Sequence, residues 1–168
     1  SYVLQELLLC NFNISLFVRD ISKAKKLNYH RMPITIIEGN LDNKNDLTSA
    51  LLNQDILVCI ASLGFGHLPI ILESCPDSIC KAIFISTTGI FTKLNPSSKK
   101  IRLEAENLIK ASQLNYTVIR PTMIFGSEKD RNMCRLINFI KRSPVIPVFG
   151  SGKFLQQPIY VRDLANVI

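Results

Sequence analysis

The sequence has no apolar run long enough to lie across a bilayer. Its strongest runs, Ile34–Ile37, Ile56–Ile60 and Ile83–Ile85, fall far short of the roughly 18 residues a spanning helix needs, so no membrane segment is expected. It also has no Cys-x-x-Cys pair. Cys10, Cys59, Cys75, Cys80 and Cys134 are odd in number and sit mostly among apolar residues, which argues for free thiols in a reducing, cytoplasmic setting. Histidine is scarce. With only His30 and His67 in the chain, Cys75 and Cys80 lack the partners of a zinc site, and no metal is expected. Aromatic residues are missing from the basic clusters: Lys23, Lys25 and Lys26, then Lys99, Lys100 and Arg102, then Arg131, Arg135, Lys141 and Arg142 fall on separate expected helices. The net charge of +7 therefore reads as solvated helix faces with some attraction for a phosphate-bearing ligand, and nucleic acid is not an expected partner. Internal repeats and low-complexity tracts are absent. The opening Ser1–Cys10 has no basic leader, and its Val3, Leu4, Leu7 and Leu8 suit an amphipathic helix.

What is present is alternation. At 168 residues and 47% hydrophobic composition, the chain has the size of one α/β domain. Short β-type runs alternate with helical segments throughout, the pattern of a parallel sheet covered by helices. After helix 2–9, strand Ile14–Val18 ends at Arg19-Asp20, and a short helix follows near Ser22–Leu27. Pro33 introduces strand Ile34–Glu38, and Gly39-Asn40 turns the chain toward helix 43–52. Strand Ile56–Ile60 precedes Gly64, Gly66 and a helix through Pro69–Glu73; strand Ala82–Ser86 has the character of a buried centre. Asn95 is expected to cap a helix that opens on Pro96 and carries Ile101, Ala105, Leu108 and Ile109 on one face. Strand Tyr116–Ile119 stops at Arg120-Pro121, and Asp130 is expected to cap a helix whose buried stripe is Met133, Leu136, Ile137 and Ile140.

In open α/β sheets, ligands bind beyond the carboxyl ends of the strands. The residues there are Arg19-Asp20, Asn40, Ala61-Ser62, Ser86-Thr87-Thr88 and Pro121-Thr122. Each alone is an ordinary strand-to-loop boundary; together they form a constellation of small and hydrogen-bonding groups. Gly64, Gly66 and His67 suit either a phosphate-side loop or simple turns.

The steps Val18-Arg19-Asp20, Gly39-Asn40-Leu41-Asp42, Ile83–Thr88 and Tyr116-Thr-Val-Ile-Arg-Pro-Thr-Met-Ile-Phe-Gly126 resemble extended or atypical short-chain dehydrogenases/reductases. Downstream, Leu155-Gln-Gln-Pro-Ile-Tyr-Val-Arg-Asp163-Leu is similar to the segment that opens the substrate region of nucleotide-sugar epimerases and dehydratases. The resemblance implies a Rossmann-like, doubly wound parallel α/β sheet over residues 1–126 and the start of a small substrate region over 127–168. That family opens with a strand and a Gly-x-x-Gly-x-x-Gly turn that receives the cofactor pyrophosphate. Neither occurs here, so the chain is expected to begin after them, to be truncated at its far end, and to be a fragment.

The resemblance also assigns roles. Arg19 and Asp20 meet the adenosine ribose. A guanidinium pairs with a 2′-phosphate and a carboxylate with a free 2′-hydroxyl, so Arg19 leans the cofactor from NAD toward NADP. Asn40, Leu41, Ala61, Ser62, Ser86, Lys100, Pro121 and Thr122 complete the cofactor contacts. Ser86, or Thr87 in a shifted register, holds the substrate oxygen. Where the family has Tyr-x-x-x-Lys, the window Asn95–Arg102 has no tyrosine, and Ser98 and Arg102 stand in the pair's places; an alkyl hydroxyl is a far poorer acid than a phenol of pKa about 10. Lys100 either binds ribose or faces solvent. Gln156, Gln157 and Tyr160 are the candidate substrate contacts. The expected function is an NAD(P)-dependent epimerase/dehydratase-like oxidoreductase acting on a nucleotide-linked sugar, with room for a homodimer. The alternative is an NADP(H)-binding reductase or a non-catalytic redox sensor.

Overall fold

β-Branched and aromatic residues dominate Ile14–Val18 (β1) and Ile34–Glu38 (β2), as half-buried strands require. A computed structural model describes residues 2–25, 33–93, 96–126, 130, 133–143, 145, 150–153 and 155–168. In it β1 and β2 pair in parallel, with Ile14 opposite Ile34 and Val18 opposite Glu38. Ile56–Cys59 (β3), Lys81–Ile85 (β4) and Tyr116–Ile119 (β5) form a second parallel sheet in that order. β4 is its centre and its most buried strand: Ala82 and Phe84 are inaccessible to solvent. Parallel neighbours need crossovers, and the crossovers are helical. They are Ile21–Lys25 (α2) between β1 and β2, Leu68–Ser74 (α4) between β3 and β4, and Ser97–Ala111 (α5) between β4 and β5. Tyr2–Leu9 (α1) precedes β1, and Lys44–Leu51 (α3) links β2 to β3.

One core serves both sheets. Leu47, Cys59, Leu63, Leu68, Ile71, Ile79, Ala82, Phe84, Ala105 and Ile109 are buried together, with Phe17 of β1 and Leu41 after β2 packed against them. Gly39 allows that approach: a Cβ there would lie 2.6 Å from the Phe17 ring. Among the described residues no backbone ladder joins β1–β2 to β3–β4–β5.

The chain packs as two compact units, Leu7–Arg120 and Ser1–Glu6 with Pro121–Ile168. In the second, Ile124–Phe125 (β6) pairs in parallel with Ile159–Tyr160 (β7). The Phe125 and Tyr160 rings lie 5.6 Å apart, and Val161–Val167 (α7) buries Leu164 and Ala165.

Two expectations are corrected. The helix near Pro96 begins at Ser97: Pro96, at φ −68° and ψ 145°, is extended and occupies the cap position with no side-chain capping bond. Asn95 lies outside the described residues, as do His30 and Leu27. The stripe on Met133–Arg142 (α6) is not buried. Leu136, Ile137 and Ile140 are 42–44% exposed, because periodicity says which side of a helix is apolar and not what covers it. Asp130 does receive the Met133 and Cys134 amides, each at 3.2 Å.

Candidate functional site

Contacts in the unit Leu7–Arg120 run from one strand end to the next. Past β1, the Asp20 carboxylate accepts from the Lys23 amide at 3.1 Å and pairs with its ammonium at 3.1 Å. Those Lys23 hydrogen bonds, side chain first, hold the Asp20 carboxyl below its usual value. Arg19 beside it is exposed. The Gly39 amide donates to Val18 O at 2.9 Å and the Ile21 amide to Glu38 Oε1 at 3.1 Å, which ties the ends of β1 and β2 together.

The next link is an Asx-type loop. Asn40 accepts from the Asp42 amide at 3.1 Å while its own amide donates to Asp46 at 2.9 Å, and Leu41 turns into the core. Asp42 then meets His67 Nδ1 at 2.7 Å, so the loop after β2 touches the loop after β3. Past β3, Ala61 packs on the core and Ser62 Oγ accepts from the Gly64 amide at 3.3 Å. Gly64 lies close to Arg102: a Cβ would sit 3.0 Å from the guanidinium carbon, so that side chain would have to give by a few tenths of an ångström. Arg102 Nη1 donates to Ser98 Oγ at 2.8 Å. Ser98 and Arg102, one helical turn apart, are thus brought together. Lys100 is not; its side chain is 83% exposed and stands 3.9 Å from Glu104. Lys99 instead reaches the Thr92 carbonyl at 2.6 Å.

At the end of β4, Ser86 and Thr87 have different surroundings. Thr87 Oγ1 accepts from the Gly89 amide at 3.1 Å, capping the following turn. Ser86 Oγ donates to Glu106 Oε1 at 2.6 Å. Glu106 is 2% exposed and is gripped by Arg120 at the end of β5, with Nε 3.0 and 3.1 Å from the two oxygens and Nη2 2.6 Å from Oε2. Arg120 in turn lies 5.8 Å from the Phe91 ring centroid. The Arg120 hydrogen bonds, against the opposing effect of burial, hold the Glu106 carboxyl below its usual range.

Sequence reasoning passed over Glu106, Arg120 and the Asp42–His67 contact as site features. One signal was available: Glu106 falls on the buried stripe of α5 beside Ala105 and Ile109, and a carboxylate there requires a cation. Burial raises the Cys59 thiol and pushes Cys75 up to about 11.

The remaining candidates belong to the second unit. Pro121 is buried, Thr122 Oγ1 donates to the Gln157 carbonyl, and Gln156, Gln157 and Tyr160 are exposed.

Chemically, the first unit offers an exposed guanidinium and amide, on Arg19 and Asn40, and half-buried hydroxyls, on Ser62, Thr87 and Ser98. The window Asn95–Arg102 contains no tyrosine. The sequence profile of a family described as NAD(P)H-binding matches residues 1–138. No curated protein matches the sequence. Among solved structures, the chain is similar to the Bordetella bronchiseptica enzyme WbmH in complex with NAD+, with a TM-score of 0.76, 13% identity, and 99% of this chain and 66% of that one covered. It is also similar to a putative NAD-dependent epimerase/dehydratase from Bacillus halodurans, at TM-score 0.71, 18% identity and coverage of 99% and 78%. A third is a wide-type short-chain dehydrogenase/reductase from Veillonella parvula in complex with NADP, at TM-score 0.61, 18% identity and coverage of 86% and 82%. The chain spans from 48% to 82% of such solved chains, less than two thirds of most of them. At these identities the likeness is one of fold.

Proposed function

Because the chain belongs to the NAD(P)H-binding family, with NAD(P) as its cofactor class, we propose that it is an NAD(P)-dependent oxidoreductase of the epimerase/dehydratase-like type, acting on a nucleotide-linked sugar. The observation that carries this reading is the set of polar contacts at the strand ends: Asp20 with Lys23 past β1, Asn40 with Asp42 and Asp42 with His67 between the loops after β2 and β3, and Arg102 with Gly64 and Ser98. When bound, the nicotinamide supplies the hydride chemistry. The chain's own residues bind and orient. Asn40 and Leu41 border the adenine, Ala61 and Ser62 back the dinucleotide, and Ser86 holds the sugar oxygen. The second unit, taken by itself, offers the neutral, exposed groups of Gln156, Gln157 and Tyr160, which suit sugar hydroxyls.

The donor set at β1 favours NADP. Asp20 is already committed to Lys23 and is poorly placed to receive a ribose 2′-hydroxyl, whereas the exposed Arg19 suits a 2′-phosphate. Calorimetric titration of the full chain with NADPH and NADH tests this. Tighter NADPH binding, reduced about tenfold or more by Arg19→Ala with NADH affinity unchanged, is expected; equal affinities, or an Arg19→Ala effect on both cofactors alike, would refute the assignment.

A second reading, NADP(H) binding without turnover, is favoured by Ser98 and Arg102, which keep each other company where a phenolic acid is needed for proton transfer. Nucleotide sugars separate the two. Epimerisation or dehydration with no net change in cofactor absorbance supports the first reading, and tight cofactor binding with no product supports the second.

A further inference from the structure

Ser86 has one hydroxyl proton and two acceptor lone pairs, and its surroundings decide which of them a ligand meets. The proton goes to Glu106 Oε1 at 2.6 Å. The direction is set by charge: the Glu106 carboxylate is held ionised by three Arg120 contacts of 2.6 to 3.1 Å, and an ionised carboxylate only accepts. Glu106 cannot swing toward water, being 2% exposed on the core side of α5, and Arg120 is backed by Phe91. The Ser86 amide is also committed, to the Ile119 carbonyl at 2.8 Å.

We propose that Glu106 is a positioning residue that fixes Ser86 as an acceptor, so that the end of β4 takes a carbinol hydroxyl in preference to the corresponding carbonyl and works with oxidised cofactor. The inference rests on the reading that Ser86 faces the substrate oxygen. A carbinol donates its O–H to a Ser86 lone pair; a carbonyl presents lone pairs to lone pairs.

Glu106→Gln should reverse the polarity. Arg120 offers only donors, so its Nε and Nη2 keep the amide oxygen in the place of Oε2, Nε gives up its contact in the place of Oε1, and the amide nitrogen there turns to Ser86. Ser86 then accepts from Gln, and its own proton is released toward the ligand. The volume is unchanged. A purely structural role for Glu106 would weaken all ligands alike and would not invert a preference.

The probes are cyclohexanol and cyclohexanone, ring-sized mimics of a sugar carbinol and its ketone, added to the full chain after saturation with NADP+ and measured by saturation-transfer NMR competition. The wild-type chain is expected to bind cyclohexanol about tenfold more tightly, the worth of one hydrogen bond in a buried setting. Glu106→Gln should bind cyclohexanone more tightly. Ser86→Ala, which leaves the Glu106–Arg120 pair intact, should bind the two equally, and it keeps the test open if the Gln variant does not fold. The same preference in wild type and Glu106→Gln, a preference that survives Ser86→Ala, or binding of neither probe by cofactor-loaded chain overturns the inference. Failure of NADP+ itself to bind, seen before any probe is added, instead removes the functional reading and this inference with it.

Discussion

Glu106 keeps its charge inside α5 only because Arg120 meets it from the end of β5. Removing one partner of such a pair leaves an uncompensated buried charge. Arg120→Ala should therefore destabilise the chain by about 2–4 kcal/mol, the lower end reflecting that Arg120 is itself 34% exposed. The pH dependence should change sign. In the wild type the Glu106 carboxyl is lowered, so its contribution is present above the unfolded carboxylate pKa of about 4.3 and is lost as pH falls through the lower folded value. Without Arg120, burial raises the folded value, the native state binds more protons than the unfolded chain, and acidification toward the unfolded pKa should stabilise. Urea titrations of both proteins at a series of acidic pH values check this; parallel acid limbs would mean that Glu106 and Arg120 are not coupled. The sequence showed Ser86 and Arg120 as strand ends and Glu106 as a helix residue. Their union needs two elements folded side by side, so no local pattern contains it. Ser98 and Arg102 were singled out by the resemblance, as standing in the places of the family's pair, and helical spacing is what lets them touch.

Elements were legible where local chemistry decides them. β1, β2 and β5 have the bounds expected from their β-branched runs, and the α3 start follows from Asn43, whose side chain accepts from the Asn45 and Asp46 amides at 3.0 and 3.5 Å. Asn43→Ala should cost about 1 kcal/mol, read as a lower urea midpoint with unchanged slope. α6 was legible as a helix but not in its surroundings. Its ten residues carry Leu136, Ile137, Phe139 and Ile140 with 42–46% exposure, and Phe139 shares a surface with Arg135 and Arg142. Exposed apolar groups contribute little to folding, so Ile137→Ser and Ile140→Ser should each change stability by no more than about 0.5 kcal/mol. The same changes should lower binding of an environment-sensitive apolar dye such as ANS. A loss of several kcal/mol would mean that this face is covered in solution.

For the whole molecule, the alternation of strands and helices was enough to imply a parallel α/β fold, but not how the sheet is divided. β1–β2 and β3–β4–β5 share a core through Phe17 and Leu41 yet exchange no ladder hydrogen bonds among the described residues. The loops after β2 and β3 meet through the polar Asp42–His67 contact at 2.7 Å, and α3 and α4 add the Lys44–Glu73 pair at 3.0 Å; exposed pairs of this kind are worth little alone. A dinucleotide bound along the strands' carboxyl ends would bridge the two sheets, and its binding free energy would then appear as cooperative stability. At a hundredfold excess over its dissociation constant, NADPH should add about 2.7 kcal/mol. The distribution of that gain is the sharper measurement. If Arg19 and Asn40 contact the cofactor, amide hydrogen exchange in Ile14–Val18 and Ile34–Glu38 should slow with NADPH as much as in Lys81–Ile85. Arg19→Ala should remove the protection of the first two strands more than that of the third, because only the adenosine end would be loosened. Protection confined to the three-stranded sheet, with or without Arg19, would mean that the cofactor does not reach β1.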